Sequence, residues 1–76
     1  MIKSLTLANL PKGETATVAS LSDSKLSLKL CEMGCLPGKK ITLLRIAPFG
    51  GPYCIKIGDS TLTMRKDEAA TINLSR

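Results

Sequence analysis

The stretch from Glu32 to Pro52 constrains the fold most, because glycine and proline are concentrated there. Four of the six glycines and three of the four prolines fall inside it. Between the two Gly/Pro clusters, residues 40–47 are mostly aliphatic or β-branched. This order predicts a helix end, a tight turn, a strand and an irregular loop. The chain must therefore be built from short elements joined by sharply defined turns.

The length of 76 residues predicts one domain over residues 1–76. A chain of this size buries only about 60% of its unfolded surface, so it supports one small core and no deep cleft between lobes. The sequence has no histidine, which removes Ser-His and Cys-His nucleophile pairs. We therefore expect a protein that is not an enzyme.

Charge and hydropathy limit the kinds of partner and the cellular compartment that we expect for this protein. The net charge of +5 suits an acidic partner, which could be a protein face, a nucleic acid or an anionic membrane. No segment approaches the ~20 apolar residues of a membrane span, and the first residues lack the apolar core of a secretory signal. Three cysteines cannot all pair within one chain, which disfavours a disulfide framework. We expect a cytoplasmic protein that does not insert into the membrane.

The first half of the chain predicts a strand followed by a helix and a turn. Residues 14–21 have strand character, and residues 22–24 supply N-cap side chains for a helix. Gly34 is suited to the left-handed position that ends the helix. Pro37 and Gly38 fit the two central positions of a type II turn.

The second half predicts strands with little helix. Strands are expected over residues 40–47 and 53–57, and a two-residue hairpin at 58–59 leads into a return strand. A helical turn at 66–70 and a closing strand at 71–74 complete the chain. The predicted fold class is mostly β: a small barrel of about five strands, with one short α-helix between the first and second strands. The predicted core consists of Leu26, Leu30, Met33, Ile41, Leu43, Ile55, Ile57, Leu62 and Met64.

Four motifs in the same order resemble the FeoA family across nearly the whole chain. They are residues 30–34 (LCEMG), 36–38 (LPG), 47–52 (APFGGP) and 64–69 (MRKDEA). The resemblance implies an SH3-like barrel, related to the C-terminal domain of iron-dependent repressors. It also implies an accessory role in ferrous iron uptake beside FeoB, a membrane GTPase. One departure is Cys35, where the family pattern leads us to expect leucine.

Two segments are predicted to bind the cytoplasmic part of the FeoB-type transporter. Proline and glycine hold both backbones, so little ordering entropy is lost on binding. Aromatic residues, which are enriched at interface cores, flank the second segment, and lysines lie in the first. The resemblance implies that the segments lie close together. The predicted contact residues are Met33, Leu36, Pro37, Lys39 and Lys40 in the first, and Phe49, Gly50, Gly51, Pro52 and Tyr53 in the second.

Two other functions stay open on the sequence alone. A small basic barrel could bind nucleic acid, but two aromatics are few for base stacking, so no nucleic acid is expected. The cysteines at positions 31, 35 and 54 could hold a transition metal, since thiolates bind Zn(II) and Fe(II). Their spacing is unlike that of Cys-x2-Cys sites. Weak metal binding is therefore open, with no ligands assigned and no cofactor expected.

Overall fold

Short strands alternate with turns at the positions where glycine and proline occur. The computed structural model describes residues 5–75. The strands are β1 (Leu5–Thr6), β2 (Thr15–Leu21), β3 (Lys40–Ile46), β4 (Tyr53–Ile57), β5 (Ser60–Met64) and β6 (Ile72–Ser75). The helices are α1 (Ser24–Glu32), the single turn α2 (Lys66–Ala69) and a 3-10 turn at Leu7–Asn9.

The six strands form one sheet in the order β1-β6-β2-β3-β4-β5, and every pairing is antiparallel. The mostly β fold with a helix between its first two long strands is thus confirmed. Two details differ from the prediction. The two-residue strand β1 is additional, since it is too short to show alternation. Within residues 5–75, the edge strands β1 and β5 do not pair with each other, so the sheet is not closed into a barrel.

Helix α1 is bounded by the residues that the sequence indicated. The Asp23 carboxylate accepts hydrogen bonds from the amides of Lys25 (2.8 Å) and Leu26 (3.2 Å), which satisfies two otherwise unpaired N–H groups. At the other end Gly34 adopts φ +99°. The Cys35 amide then donates to the Leu30 carbonyl at 2.9 Å. This is the Schellman arrangement, in which the residue after the glycine packs back on the helix.

The turn after α1 has the predicted type II geometry. Gly38 has φ +93°, and the Lys39 amide donates to the Leu36 carbonyl at 3.0 Å. Two hydrogen bonds of 2.8 Å fasten the turn to β2: Gly38 N–H to Val18 O, and Val18 N–H to Lys39 O. The backbone of this turn is therefore part of the sheet.

The core lies on one face of the sheet, and α1 and α2 contribute Leu30 and Ala69 to it. Of the nine predicted core residues, Leu26, Met33 and Leu62 are half-buried against it and the other six are buried. The sequence analysis did not assign Leu7, Leu10, Cys35, Tyr53, Ala69, Ile72 and Leu74, which are also buried. Most of these residues come from the chain ends, where short elements carry little periodic signal.

Glu68 joins the two helices. Its Oε1 accepts a hydrogen bond from the Arg65 backbone N–H at 2.9 Å, and its Oε2 lies 3.1 Å from Lys29 Nζ. These two contacts, the backbone hydrogen bond first, lower the pKa of the Glu68 carboxyl. A charged Glu68 thus caps α2 and connects it to α1.

Candidate interaction surface

The loop between β3 and β4 is a closed structure that displays one aromatic ring. The Ala47 amide donates to the Pro52 carbonyl at 2.9 Å, and the Gly51 amide lies 3.3 Å from the carbonyls of both Ala47 and Pro48. A Cβ at Gly51 would lie 2.7 Å from Ala47 Cβ, so only glycine fits this crossing. We call residues 47–52 the Phe49 loop.

Phe49 itself has two unusual properties. Its side chain is fully exposed, with a relative accessibility of 105%. Its backbone has φ +62°, and Phe49 is the only non-glycine residue with positive φ among residues 5–75. A bulky residue rarely adopts this region, and such conformations gather at functional sites. The ring is not buried by any other part of residues 5–75.

Two grooves border the Phe49 loop. The large groove, of about 780 Å³, runs between residues 50–52 and a wall formed by Arg65, Lys66, Asp67 and Ala70. The small groove, of about 370 Å³, shares Pro52 with the large one. Its lining is Lys12, Arg45, Ile46, Ala47, Pro48, Pro52, Cys54 and Thr63. In this lining only Lys12 and Thr63 are distant from the loop in sequence, and no local pattern marked these two.

Tyr53 does not belong to the exposed surface. Its side chain is only 5% accessible, because it lies in the ladder between Ile46 and the buried Met64. The two aromatic residues predicted to flank the loop therefore differ in role. Tyr53 is a core residue that holds the loop's second end, and Phe49 carries the exposed ring.

The two predicted binding segments are not neighbours, which corrects the expectation from the resemblance. Residues 33–40 precede β3, and the Phe49 loop follows it. The seven residues of β3 span up to about 20 Å at 3.3 Å per residue. In the first segment Pro37, Lys39 and Lys40 are exposed, Leu36 is 42% exposed and Met33 is half-buried. The two segments thus lie at opposite ends of the sheet.

The cysteines do not form a metal-binding cluster. Cys31 and Cys54 are half-buried and Cys35 is buried, and all three are free thiols. Burial, with a smaller contribution from nearby Cys31, raises the pKa of the Cys35 thiol to about 11, which disfavours the thiolate that a metal requires. Residues 5–75 contain no group of three or more Cys, His, Asp or Glu side chains placed to hold a metal ion. The cysteine, aspartate and glutamate side chains of residues 5–75 therefore do not fit a resident metal ion.

Neither helix described in residues 5–75 has the length and apolar character needed to cross a membrane.

The FeoA domain family matches residues 5–76 of the chain. No curated protein sequence matches it. Iron(II) transport protein A from Clostridium thermocellum, solved in solution, is 38% identical with a TM-score of 0.86. That match covers 92% of this chain and 44% of the other, so this chain spans less than half the length of that protein.

Two further structures extend the comparison. FeoA of Stenotrophomonas maltophilia, crystallised with zinc, is 26% identical with a TM-score of 0.82, and the match covers 93% of this chain and 89% of that one. It is described as a prokaryotic SH3 domain protein and a candidate activating factor of ferrous iron transport. A manganese-dependent transcriptional repressor shares the fold alone, at 22% identity and a TM-score of 0.83, over 93% of this chain and 40% of the repressor. The SH3-like character of the fold is thereby confirmed.

Proposed function

The chain belongs to the FeoA family, and from that premise we propose that it binds the cytoplasmic part of a FeoB-type transporter and regulates ferrous iron uptake. Family membership implies an accessory role in ferrous iron transport, in a family of small SH3-like domains rather than enzymes. The action proposed is a protein–protein contact made in the cytoplasm. Iron is the cargo of the transporter, and no step of the proposal requires this chain to hold it.

The observation that carries the proposal is the exposed, left-handed Phe49 in a closed loop. The loop backbone is already closed by its own hydrogen bonds, so it loses little freedom on binding, which favours affinity. Aromatic side chains are also the typical energetic centres of protein interfaces. We place Phe49, Gly50, Gly51 and Pro52 at the centre of the contact.

The charges beside the loop support an acidic partner. Lys12 and Arg45 line the small groove, and Arg65 and Lys66 line the large one, with Asp67 as the one carboxylate in either lining. The net charge of +5 acts in the same direction. Cations around an apolar anchor suit a partner pocket that is apolar inside and rimmed by carboxylates.

The distance between the two predicted segments requires a choice between them. The turn within residues 33–40 is hydrogen-bonded to β2, so its conformation contributes to the fold. The exposed ring of the Phe49 loop makes no such contribution to the fold. We therefore assign the transporter contact to the loop end of β3 and use Leu36, exposed at the other end, as the comparison position.

Titrating isotope-labelled protein with the cytoplasmic domain of the transporter tests the proposal. Amides of the Phe49 loop and of both groove walls are expected to shift, and Phe49→Ala is expected to weaken binding about tenfold or more, as removal of an aromatic interface anchor does. Leu36→Ala is the matched control, because it removes a similar exposed apolar side chain from the opposite end. Shifts confined to residues 33–40, with only Leu36→Ala weakening the complex, would reverse the assignment.

Nucleic acid serves as a competing ligand in the same assay. Stacking of single-stranded bases uses several exposed aromatic rings, and Phe49 is the one exposed aromatic among residues 5–75. We expect no saturable binding of single-stranded oligonucleotides at physiological salt. Tight binding with a steep salt dependence would favour the alternative function.

A further inference from the structure

Among residues 5–75, strand β5 is an edge of the sheet and pairs only with β4. The two-residue turn at Gly58 and Asp59 makes Ile57 and Ser60 a hydrogen-bonded pair. Bonded and non-bonded pairs alternate along an antiparallel ladder. It follows that the N–H and C=O groups of Thr61 and Thr63 point away from β4. Both side chains are exposed as well.

We propose that this edge pairs with the same edge of a second copy of the chain, forming a two-fold dimer whose sheet is continuous across β5. An exposed edge strand is a template for adding another strand. In a two-fold antiparallel pair, Leu62 faces Leu62 of the other copy. Thr61 then lies opposite Thr63 of the other copy, and both carry outward-pointing backbone groups. This register therefore makes four hydrogen bonds, two around each Thr61.

The side chains match in the same register. Thr61 and Thr63 from the two copies lie together on one face, a cross-strand combination that is favourable in antiparallel sheets. Leu62, which is half-buried in the single chain, is covered further by its symmetry mate. Two residues beyond Thr61, Asp59 of the hairpin turn comes near Arg65 of the other copy in this register. Because the axis is two-fold, this oppositely charged pair occurs twice.

The charge pattern distinguishes a second copy from an unrelated acidic segment. An acidic strand would match Arg65 but would oppose Asp59 at the other end of β5. The chain's own β5 matches both ends, because its Asp59 and Arg65 lie at equal distances from Leu62. Self-pairing is therefore the occupant that this edge fits best.

The dimer should be weak and dependent on concentration. Two five-residue strands make an interface at the low end of specific contacts, below about 1,200 Å² in total. Each copy also carries a net charge of +5, so the copies repel over distances up to the Debye length of about 10 Å at 0.1 M salt. Moderate salt screens this repulsion, and the backbone bonds at the edge do not depend on it.

Sedimentation equilibrium over about a hundredfold range of protein concentration, about 2.7 kcal/mol in chemical potential, tests the proposal directly. The mass is expected to rise toward that of a dimer, and the Thr61 and Thr63 amides should shift with concentration. Thr61→Pro removes an outward N–H that β4 does not use, a substitution that edge strands tolerate. It should weaken self-association about tenfold or more, since the bond is lost twice. Thr61→Val keeps the backbone donor and should dimerise as the natural chain does.

Exchanging the charges at positions 59 and 65 provides a second test of the dimer if Thr61→Pro fails to fold. Asp59→Arg and Arg65→Asp should each weaken the dimer, because each places like charges opposite one another. The double variant should restore association, since the pairs are re-formed with opposite polarity. A chain that stays monomeric at all concentrations overturns the proposal. So does a dimer that neither Thr61→Pro nor the single charge reversals weaken.

Discussion

Replacing Phe49 by asparagine should stabilise the folded protein while removing the ring assigned to partner contact. Phe49 has φ +62° and its side chain is fully exposed. The left-handed region costs an ordinary residue about 1–2 kcal/mol, and asparagine visits it more readily. The exposed ring contributes no burial that could be lost. We therefore expect Phe49→Asn to raise the free energy of unfolding by about 1 kcal/mol.

Thermal unfolding followed by circular dichroism measures the effect, with urea titration as a second measurement. A gain of about 1 kcal/mol corresponds to a rise in Tm of about 4–8 °C for a domain of this size. Phe49→Ala is the control, because it removes the ring and keeps the left-handed cost. It should change stability by less than about 0.5 kcal/mol, as surface substitutions usually do.

Two results would refute this reasoning. A loss of more than about 1 kcal/mol in Phe49→Ala, beyond the usual range for surface positions, would show that the ring packs on its own chain. A destabilised Phe49→Asn would show that the loop backbone is not left-handed at this position. If both stability expectations hold but both variants bind the transporter domain as tightly as the natural chain does, the ring does not contribute to that contact.

Three further expectations concern single contacts. Glu68→Ala should cost about 1 kcal/mol at neutral pH, the usual value of a capping contact. Because folding lowers the pKa of the Glu68 carboxyl, its contribution is complete above the ordinary glutamate value near 4.3 and is lost as pH falls through the folded value. Denaturation measured from pH 7 to 3 should therefore show a smaller acid loss in Glu68→Ala. Cys35→Ser should lower the free energy of unfolding, measured by urea titration, by about 2 kcal/mol because it buries a hydroxyl, and Cys35→Ala should lower it less. The buried Cys35 thiol should also react with a maleimide more slowly than the half-buried Cys31 thiol. Gly51→Ala should disorder the Phe49 loop, because its Cβ would lie 2.7 Å from Ala47 Cβ, and a spectrum unchanged at residues 47–52 would contradict that geometry.

Local chemistry in the sequence determined where the elements begin and end. Asp23 caps α1, Gly34 ends it, and Gly38 allows the type II turn, because each acts through the backbone within a few residues of itself. The two-residue hairpin at 58–59 and the helical turn at α2 follow from the same kind of short-range rule. These features needed no knowledge of the rest of the molecule.

Part of the candidate site could also be predicted from the sequence. The Gly/Pro pattern located the loop at 47–52, and the FeoA motifs gave a family that the comparison confirms. Cys35 looked like an incidental departure from that family. In the structure Cys35 is buried, and its amide closes the Schellman turn by donating to the Leu30 carbonyl. An apolar side chain is favoured at this position, and a thiol is compatible with it because free cysteine behaves as a small apolar residue.

Tertiary structure alone decided which side chains meet. A bulge places one extra residue, Leu44, in β3 opposite β4, so the inward and outward alternation changes midway along the strand. Beyond it, Arg45 is exposed and lines the small groove. The separation of residues 33–40 from the Phe49 loop has a similar origin, since it follows from β3 extending between them. Burial and proximity depend on register with partners distant in sequence, and no local preference encodes that register.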